Sequence, residues 1–328
     1  MRAIDVPQPG GPEVLTLATV PDPEPGPGEV LVRVAAAGVN RADLLQRAGH
    51  YPPPPGASPI LGLECSGIIE ALGADVTGWS IGDRVAALLD GGGYAELVAV
   101  PEAQLLRVPD ELDLIAAAAM PEALCTAWSN LIMVAGLRVW EIVLIQGGSG
   151  GVGSVAIQLA KAQGVTVITT AGGPERVAAC QELGADVAID HRSEDVAARV
   201  IAASAGHGAD VILDVLGAGG LSTNVRSLAT DGRLVVIGMQ QGRVGELDLG
   251  TLLRKRASIH GTTLRARPAG EKAQIVAQVA SHAWPLVGRG AQAAIHPVVH
   301  AQLPLAVAGQ AHELLAEGQV FGKLVLIP

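Results

Sequence analysis

The chain has 328 residues and a formal net charge of −10, and its four Trp, two Tyr and one Phe leave aliphatic side chains to fill the core. The acidic balance argues against a nucleic-acid-binding protein, which needs a basic face. No apolar stretch is long enough to cross a membrane, and no apolar segment typical of a signal peptide stands near Met1. The length favours two domains, and a cytoplasmic protein fits these features.

Residues 1 to about 120 are predicted to be rich in β-strands. Short apolar runs are separated by clusters of Pro and Gly, and residues 29–37 alternate well enough for a strand. Residues 51–56 contain four consecutive prolines and are predicted to form an extended loop, because proline fixes φ and removes a hydrogen-bond donor. Further strands are predicted at residues 62–72, 82–89 and 94–100.

After Pro121 strands and helices alternate, which predicts a doubly wound parallel sheet of the Rossmann type. Residues 141–145 form a short continuous apolar run, typical of a strand buried on both faces. From about Thr263 the alternation ends, and helices at 271–280 and 305–317 precede a last strand at 323–327. The other predicted elements are helices at 122–135, 152–163 and 175–183 and strands at 165–170, 186–189, 211–214 and 232–237.

A glycine-rich turn, Gly148-Ser149-Gly150-Gly151-Val152-Gly153, follows the strand at 141–145 and opens the next helix. Small residues let the backbone approach a pyrophosphate, and the helix N-terminus offers it free N–H groups and partial positive charge. The position predicts a dinucleotide site with Ser149, Gly150, Gly151 and Val152 against the cofactor. The alternative is a tight strand–helix turn that binds no ligand.

The end of the second strand of this sheet bears on the choice between NAD and NADP. An NAD site usually carries Asp or Glu there, whereas this chain has Gly172 and Gly173. The open loop favours NADPH, and Arg176 is expected to pair with the 2′-phosphate through its planar fork. The alternative for Arg176 is a solvated surface charge, and Glu175 beside it suits a helix N-terminus.

Several motifs occur along nearly the whole chain in a recognisable order. They include residues 9–13, 39–44, 51–58, 61–64, 81–85, 156–161, 183–185 and 322–323, together with the glycine turn. On these motifs the chain resembles the zinc-free quinone oxidoreductases of the medium-chain dehydrogenase/reductase superfamily. The resemblance is greatest to the subgroup of the tumour-suppressor-inducible NADPH quinone oxidoreductase, and extends to the zeta-crystallin-like members.

The resemblance implies an α/β protein of two domains with NADP(H) as cofactor. A GroES-like β-rich catalytic domain would comprise residues 1–121 and 263–328, and a Rossmann NADP-binding domain would comprise residues 122–262. The active site would lie in the cleft between the domains. The resemblance also implies a homodimer formed through the Rossmann sheets.

The resemblance further implies the residues that meet substrate and cofactor. Asn40 would orient the nicotinamide or substrate through its amide, with a loop-bracing role as the alternative. The Tyr51 hydroxyl would bond the acceptor oxygen or relay a proton, with packing against the proline loop as the alternative. His191 stands where the family often has a tyrosine against the adenine. Other expected cofactor contacts are Thr126, Leu216, Gly217, Gly238, Met239, Thr263, Leu264, Phe321, Gly322 and Lys323.

No metal site is predicted. Zinc-dependent members of the superfamily use Cys and a His-Glu pair, where this chain has Asn40 and Leu63-Glu64. Cys65, Cys125 and Cys180 contain no CxxC pair. His296 and His300 stand in a segment expected to be extended, where their rings would lie about 13 Å apart.

Without a metal, the hydride acceptor must need little Lewis-acid help, which favours a quinone or another conjugated carbonyl. Two alternatives stay open: a reductase of 2-enoyl thioesters or enones, and an NADPH-binding structural or regulatory protein.

Overall fold

A computed structural model describes residues 1–288 and 294–328, which form two compact units. The first unit comprises Met1–Cys125 and Leu264–Pro328, and the second comprises Thr126–Thr263. These boundaries separate two parts of the chain that each pack mainly against themselves. The assignment of one part as a catalytic domain and the other as a cofactor-binding domain remains a prediction. No helix of the described residues is long and apolar enough to cross a membrane.

The N-terminal part of the first unit is β-rich, as predicted. Helix α1 was not predicted, although the sequence contains a pattern that marks the start of a helix, Asn40 followed three residues later by Asp43. In the structure this pair forms a capping box, in which the Asp43 carboxylate accepts the backbone N–H of Asn40 at 2.7 Å. The elements are β1 (Arg2–Asp5), β2 (Thr16–Thr19), β3 (Glu29–Gly38), α1 (Arg41–Arg47), β4 (Glu64–Leu72), β5 (Arg84–Leu88), β6 (Leu97–Pro101), β7 (Leu105–Arg107) and α2 (Leu114–Ala117). Helix α3 (Pro121–Trp128) follows and continues into the second unit, which begins at Thr126.

The second unit confirms the predicted Rossmann sheet. Its described strands are all parallel and lie in the order β10-β9-β8-β11-β12-β13. Strand β13 was not predicted, and β12 begins four residues earlier than residue 232. The elements are β8 (Ile142–Ile145), α4 (Gly151–Ala162), β9 (Thr166–Ala171), α5 (Pro174–Glu182), β10 (Val187–Asp190), α6 (Val196–Ala203), β11 (Ala209–Asp214), α7 (Leu221–Ser227), β12 (Leu228–Val236), α8 (Leu249–Lys255) and β13 (Ser258–Gly261).

The C-terminal segment completes the sheet of the first unit. It supplies α9 (Ala269–Gln278), β14 (Val299–Pro304), α10 (Ala308–Ala316) and β15 (Lys323–Ile327). Among the described strands the sheet order is β14-β15-β3-β4-β5-β7, with β6 also paired to β3. The predicted helix at 305–317 is shorter than expected, because Leu305–Val307 forms a 3-10 turn before α10.

The core of the first unit is aliphatic, as the composition requires, with one buried tyrosine. Val30 and Val32 of β3 and Leu324 and Leu326 of β15 are almost fully buried. The buried Tyr94 hydroxyl lies 3.1 Å from Nε2 of His312 on α10. Burial lowers the pKa of His312 to about 3, so the ring is neutral at physiological pH.

Candidate functional site

The glycine turn of the second unit is closely packed, and its glycines leave no room for larger residues. A Cβ atom on Gly148 would lie 2.1 Å from Oγ1 of Thr169, and one on Gly153 would lie 2.2 Å from the carbonyl oxygen of Gly147. The Gly150 N–H closes the turn on the Gly147 carbonyl at 3.0 Å. Helix α4 begins at Gly151, and the N–H groups of its first turn have no partner within the helix. This geometry fits a pyrophosphate against the first turn of α4.

A buried hydrogen-bond network holds the turn to the neighbouring strands, and we call it the loop network: Gln146, Thr170, Asp214 and Asn224. The Thr170 hydroxyl accepts the Gly147 N–H at 3.0 Å and donates to the Gln146 amide oxygen at 2.8 Å. Gln146 donates to Asn224 at 2.7 Å, and Asn224 donates to the Asp214 carboxylate at 2.9 Å.

The loop network ends at the loop that follows β11. The Asp214 carboxylate accepts the N–H groups of Leu216 at 3.1 Å and Gly217 at 2.8 Å. Gly217 has φ of +73°, and a Cβ atom there would lie 2.8 Å from Cα of Met239. Burial raises the pKa of Asp214, and its hydrogen bonds oppose that rise. One connected set of side chains thus fixes two of the loops predicted to meet the cofactor.

The loops after β9 and β10 are joined through Asp190. Its Oδ1 atom accepts the N–H of Gly173 at 3.0 Å, and this hydrogen bond is the main cause that lowers the pKa of Asp190. Gly173 has φ of +91°, which favours glycine. His191 follows Asp190 directly, and a Cβ atom on Gly172 would lie 3.2 Å from its Nε2. Arg176 lies half-buried in the first turn of α5.

In the first unit, strand register brings three side chains together, and we call them the lysine cluster: Asn40, Glu64 and Lys323. Gly38, the last residue of β3, pairs with Val325 of β15, which places Asn40 beside Lys323, the first residue of β15. Glu64 begins β4, the antiparallel neighbour of β3. All three residues therefore lie together at one end of the neighbouring strands β15, β3 and β4.

The lysine cluster is a buried ion pair bridged by an amide. The Lys323 ammonium contacts the Glu64 carboxylate and donates to the Asn40 amide oxygen at 2.5 Å. The Asn40 amide nitrogen donates to Glu64 at 2.8 Å. The Lys323 and Glu64 side chains are 4% and 0% exposed, so the pair is largely desolvated. These contacts brace the loop and leave Asn40 one further N–H.

Two more carboxyl groups surround the lysine cluster. Burial raises the pKa of Asp43 to about 6, although its carboxylate accepts the Gly62 N–H at 3.1 Å as well as that of Asn40. Burial and the charge of Glu64 raise the pKa of Glu122 to about 8. The Glu122 backbone N–H donates to Glu64 at 3.0 Å. Neither Glu64 nor Glu122 was predicted to be a site residue.

Tyr51 lies beside the buried Arg265. The guanidinium lies 5.5 Å from the centre of the Tyr51 ring, within the range of a cation–π contact. Arg265 also donates to the carbonyl oxygens of Tyr51 at 3.4 Å and Asp90 at 2.8 Å. Arg265 was not predicted to be the partner of Tyr51, because 214 residues separate the two in the sequence.

The other predicted cofactor residues follow the ends of sheet strands or lie at the limits of the units. Gly238 and Met239 follow β12, and the Met239 side chain is 62% exposed. The buried Thr126 begins the second unit and Thr263 ends it, while the buried Leu264 resumes the first unit. Phe321 and Gly322 directly precede Lys323; Gly322 has φ of +79°, and a Cβ atom there would lie 2.4 Å from the Val298 carbonyl oxygen.

The donor set at the place of the zinc ligands does not suit zinc. Asn40 and Glu64 are bonded to each other and to a lysine ammonium, a cation that competes for the same oxygen atoms. The neighbouring Cys65 is buried, and burial raises its pKa far above the range in which a thiolate forms. Within residues 1–288 and 294–328, no three His, Cys, Asp or Glu side chains are grouped to hold a metal ion.

The parallel sheet with its glycine turn and the second sheet built from both ends of the sequence define a medium-chain dehydrogenase/reductase. Residues 26–110 match the alcohol dehydrogenase GroES-like domain, and residues 151–281 match the zinc-binding dehydrogenase family. The chain is 36% identical to a quinone oxidoreductase of Pseudomonas aeruginosa over 97% of both sequences. The chain belongs to the quinone oxidoreductase family of this superfamily.

Two solved structures share the fold over the full length of the chain. An Escherichia coli quinone oxidoreductase, solved as a complex with NADPH, has a TM-score of 0.84 at 26% identity, with all of both chains covered. An NAD-dependent alcohol dehydrogenase has a TM-score of 0.86 at 33% identity, again with all of both chains covered. The first of these structures is a complex with NADPH and the second enzyme is NAD-dependent, so the same fold serves both cofactors.

Proposed function

We propose that this chain is an NADPH-dependent oxidoreductase that reduces quinones without a metal. The main support for this proposal is the lysine cluster, in which the buried ion pair of Lys323 and Glu64 lies where zinc-dependent relatives hold a metal. A quinone suits such a site, because charge from the incoming hydride delocalises onto its oxygen atoms and little Lewis-acid help is needed. Membership of the quinone oxidoreductase family supports the same acceptor.

The cofactor residues are proposed from the geometry of the second unit. NADPH would supply a hydride when bound. Gly151 and Val152 would hold its pyrophosphate with the N–H groups that open α4. The loop network keeps the backbone of Gly217 in place for the cofactor ribose. The two glycines after β9 carry no side chain that would exclude a 2′-phosphate.

The substrate residues are proposed from the first unit. Asn40, held by Lys323 and Glu64, uses its remaining amide hydrogen to orient the acceptor. The Tyr51 hydroxyl hydrogen-bonds the acceptor oxygen or relays the proton that completes the hydroquinone. The cation–π contact with Arg265 helps to hold the Tyr51 ring. Hydride and one proton together give the two-electron product.

Steady-state oxidation of NADPH tests this function. The expected result is turnover with 1,2- and 1,4-quinones and little with crotonyl thioesters or simple enones. Preferential turnover of the thioester would replace the proposal with an enoyl reductase. Tight NADPH binding without turnover of any acceptor would indicate a structural or regulatory protein. The control is Arg226→Ala, a substitution at an exposed residue paired with Asp195, which is expected to keep the acceptor profile.

We propose further that the protein is a cytoplasmic homodimer. Strand β13 is an edge of the parallel sheet, and an unpaired edge is a site for pairing with a second copy. Leu249 and Leu253 of α8, which precedes β13, are 61% and 75% exposed. Light scattering coupled to gel filtration tests this arrangement, with twice the mass of the chain expected. A Leu253→Glu variant is expected to shift the mass toward the monomer.

A further inference from the structure

The position of Arg192 bears on how the protein distinguishes NADPH from NADH. Strands β9 and β10 are parallel neighbours, and Ala171 at the end of β9 pairs with Asp190 at the end of β10. The loops that follow these strands are therefore adjacent. Arg192 lies in the second of these loops, two residues after Asp190 and next to His191.

The Arg192 guanidinium lies over the glycines of the first loop. A Cβ atom on Gly172 would lie 2.9 Å from Nε and 3.2 Å from Cζ of Arg192. A Cβ atom on Gly173 would lie 3.6 Å from its Nη1. The absence of a side chain at Gly172 lets the arginine lie close to this backbone, whereas a Cβ atom on Gly173 would make only an ordinary contact. This is the loop where a dinucleotide site of this type meets the 2′ position of the ribose.

Asp190 holds the two loops together without neutralising Arg192. Its Oδ1 atom accepts the backbone N–H groups of both Gly173 and Arg192, each at 3.0 Å. The carboxylate is thus engaged by main-chain donors that fix the loop carrying the arginine.

The acids that follow Arg192 in sequence pair with other arginines. Glu194 pairs with Arg199 at 2.6 Å, and Asp195 pairs with Arg226 at 3.4 Å. Across the described residues, no carboxylate lies within ion-pair distance of the Arg192 guanidinium. Its side chain is exposed, so it can meet a ligand without first breaking an ion pair.

The other arginine near these loops is Arg176, which lies in the first turn of α5. It lies on α5, one helical turn before Cys180, and its charge opposes the rise that burial causes in the pKa of the Cys180 thiol.

We propose that Arg192, rather than Arg176, is the residue that selects NADPH over NADH, by pairing its guanidinium with the 2′-phosphate. The inference rests on the proposed use of NADPH. A phosphate monoester carries nearly two negative charges, and a guanidinium offers it two parallel hydrogen bonds. His191, whose ring lies beside the same glycine, flanks the phosphate.

Calorimetric titration with 2′,5′-ADP and 5′-AMP isolates this contact, because the two ligands differ only in the 2′-phosphate. Arg192→Ala is expected to weaken 2′,5′-ADP binding by about 10- to 100-fold, the range for charge-assisted hydrogen bonds. Binding of 5′-AMP is expected to stay unchanged. Arg192→Lys should recover part of the loss, because a lysine keeps the charge but not the fork.

Two control variants test whether the effect is specific to Arg192. Arg176→Ala is expected to lose less 2′,5′-ADP affinity than Arg192→Ala, and Arg226→Ala is expected to lose none. Equal weakening of both ligands in Arg192→Ala would indicate a structural role and overturn the inference. A larger loss in Arg176→Ala, or a wild type that binds both ligands equally, would overturn it as well.

The titrations involve no hydride acceptor, so they are independent of the proposed reaction. If the chain reduces no quinone but Arg192→Ala still loses only 2′,5′-ADP affinity, the reaction assignment fails and the role of Arg192 stands. If quinones are reduced equally well with NADPH and NADH and Arg192→Ala changes neither affinity, the role of Arg192 fails and quinone reduction stands.

Discussion

The two units hold buried polar groups in different ways. The loop network of the second unit joins two amides and a hydroxyl to a single carboxylate, Asp214. The lysine cluster of the first unit instead puts Lys323 against Glu64, with Asp43 and Glu122 close by. The first arrangement depends on hydrogen-bond geometry, whereas the second depends on charge balance in a desolvated site. The comparison predicts that the two units respond differently to substitution and to pH.

The largest effect is expected from Lys323→Met, which leaves the buried Glu64 carboxylate without its cation. Removing one partner of a buried ion pair costs about 3–5 kcal/mol. Urea unfolding at neutral pH measures the loss. The matched control is Lys161→Met, which breaks the exposed ion pair with Asp186 and should cost about 1 kcal/mol or less. Equal losses of stability in both variants would show that the Glu64 carboxylate does not depend on the Lys323 ammonium for its stability in the core.

A smaller loss is expected from Asn224→Leu in the loop network. It leaves the Gln146 amide and one oxygen of Asp214 without that partner, at a cost of about 1–3 kcal/mol. Because the loops that the network holds are proposed to bind the cofactor, NADPH affinity should fall as well. Calorimetry measures the affinity and urea unfolding the stability. If affinity is kept while stability falls, the network has no part in positioning these loops.

The third prediction concerns pH. Burial and Glu64 raise the pKa of Glu122 to about 8, with Asp43 acting in the same direction and Lys323 and Arg265 opposing it. A carboxyl group whose pKa is higher in the folded protein gives stability at low pH and loses it as pH rises toward 8. Glu122→Gln removes this loss, so the variant should gain stability relative to wild type between about pH 4.5 and 8.

Unfolding curves for both proteins across that range measure the difference. Glu175→Gln, a change at an exposed residue of α5, provides the control and should show no such trend. A stability difference for Glu122→Gln that is constant with pH would show that Glu122 titrates normally in the fold.

The smallest expected effect is that of chelators. Since the lysine cluster does not suit zinc, dialysis against EDTA should leave the quinone reductase rate unchanged, and elemental analysis should find no stoichiometric zinc. A loss of activity that added zinc restores would overturn the metal-free proposal.

The sequence predicted what depends on local chemistry. The glycine turn at residues 148–153 and the apolar strand before it are recognisable from adjacent residues, and both stand where predicted. The sequence did not predict the contacts of Glu64, because its partner Lys323 is 259 residues away and reaches it through strand register. Arg192 was overlooked for a related reason: its place beside Gly172 depends on β10 lying next to β9, which is a property of sheet order.

The sequence separation within the lysine cluster also affects the order in which the protein folds. Asn40 and Lys323 lie 283 residues apart, whereas Thr126–Thr263 is continuous in sequence. During synthesis the second unit can therefore acquire its core while the partner of Glu64 has not yet been made. Until β15 pairs with β3, the Glu64 carboxylate lacks the Lys323 ammonium as its partner. The proposed substrate-binding residues are thus assembled only after translation has passed Lys323.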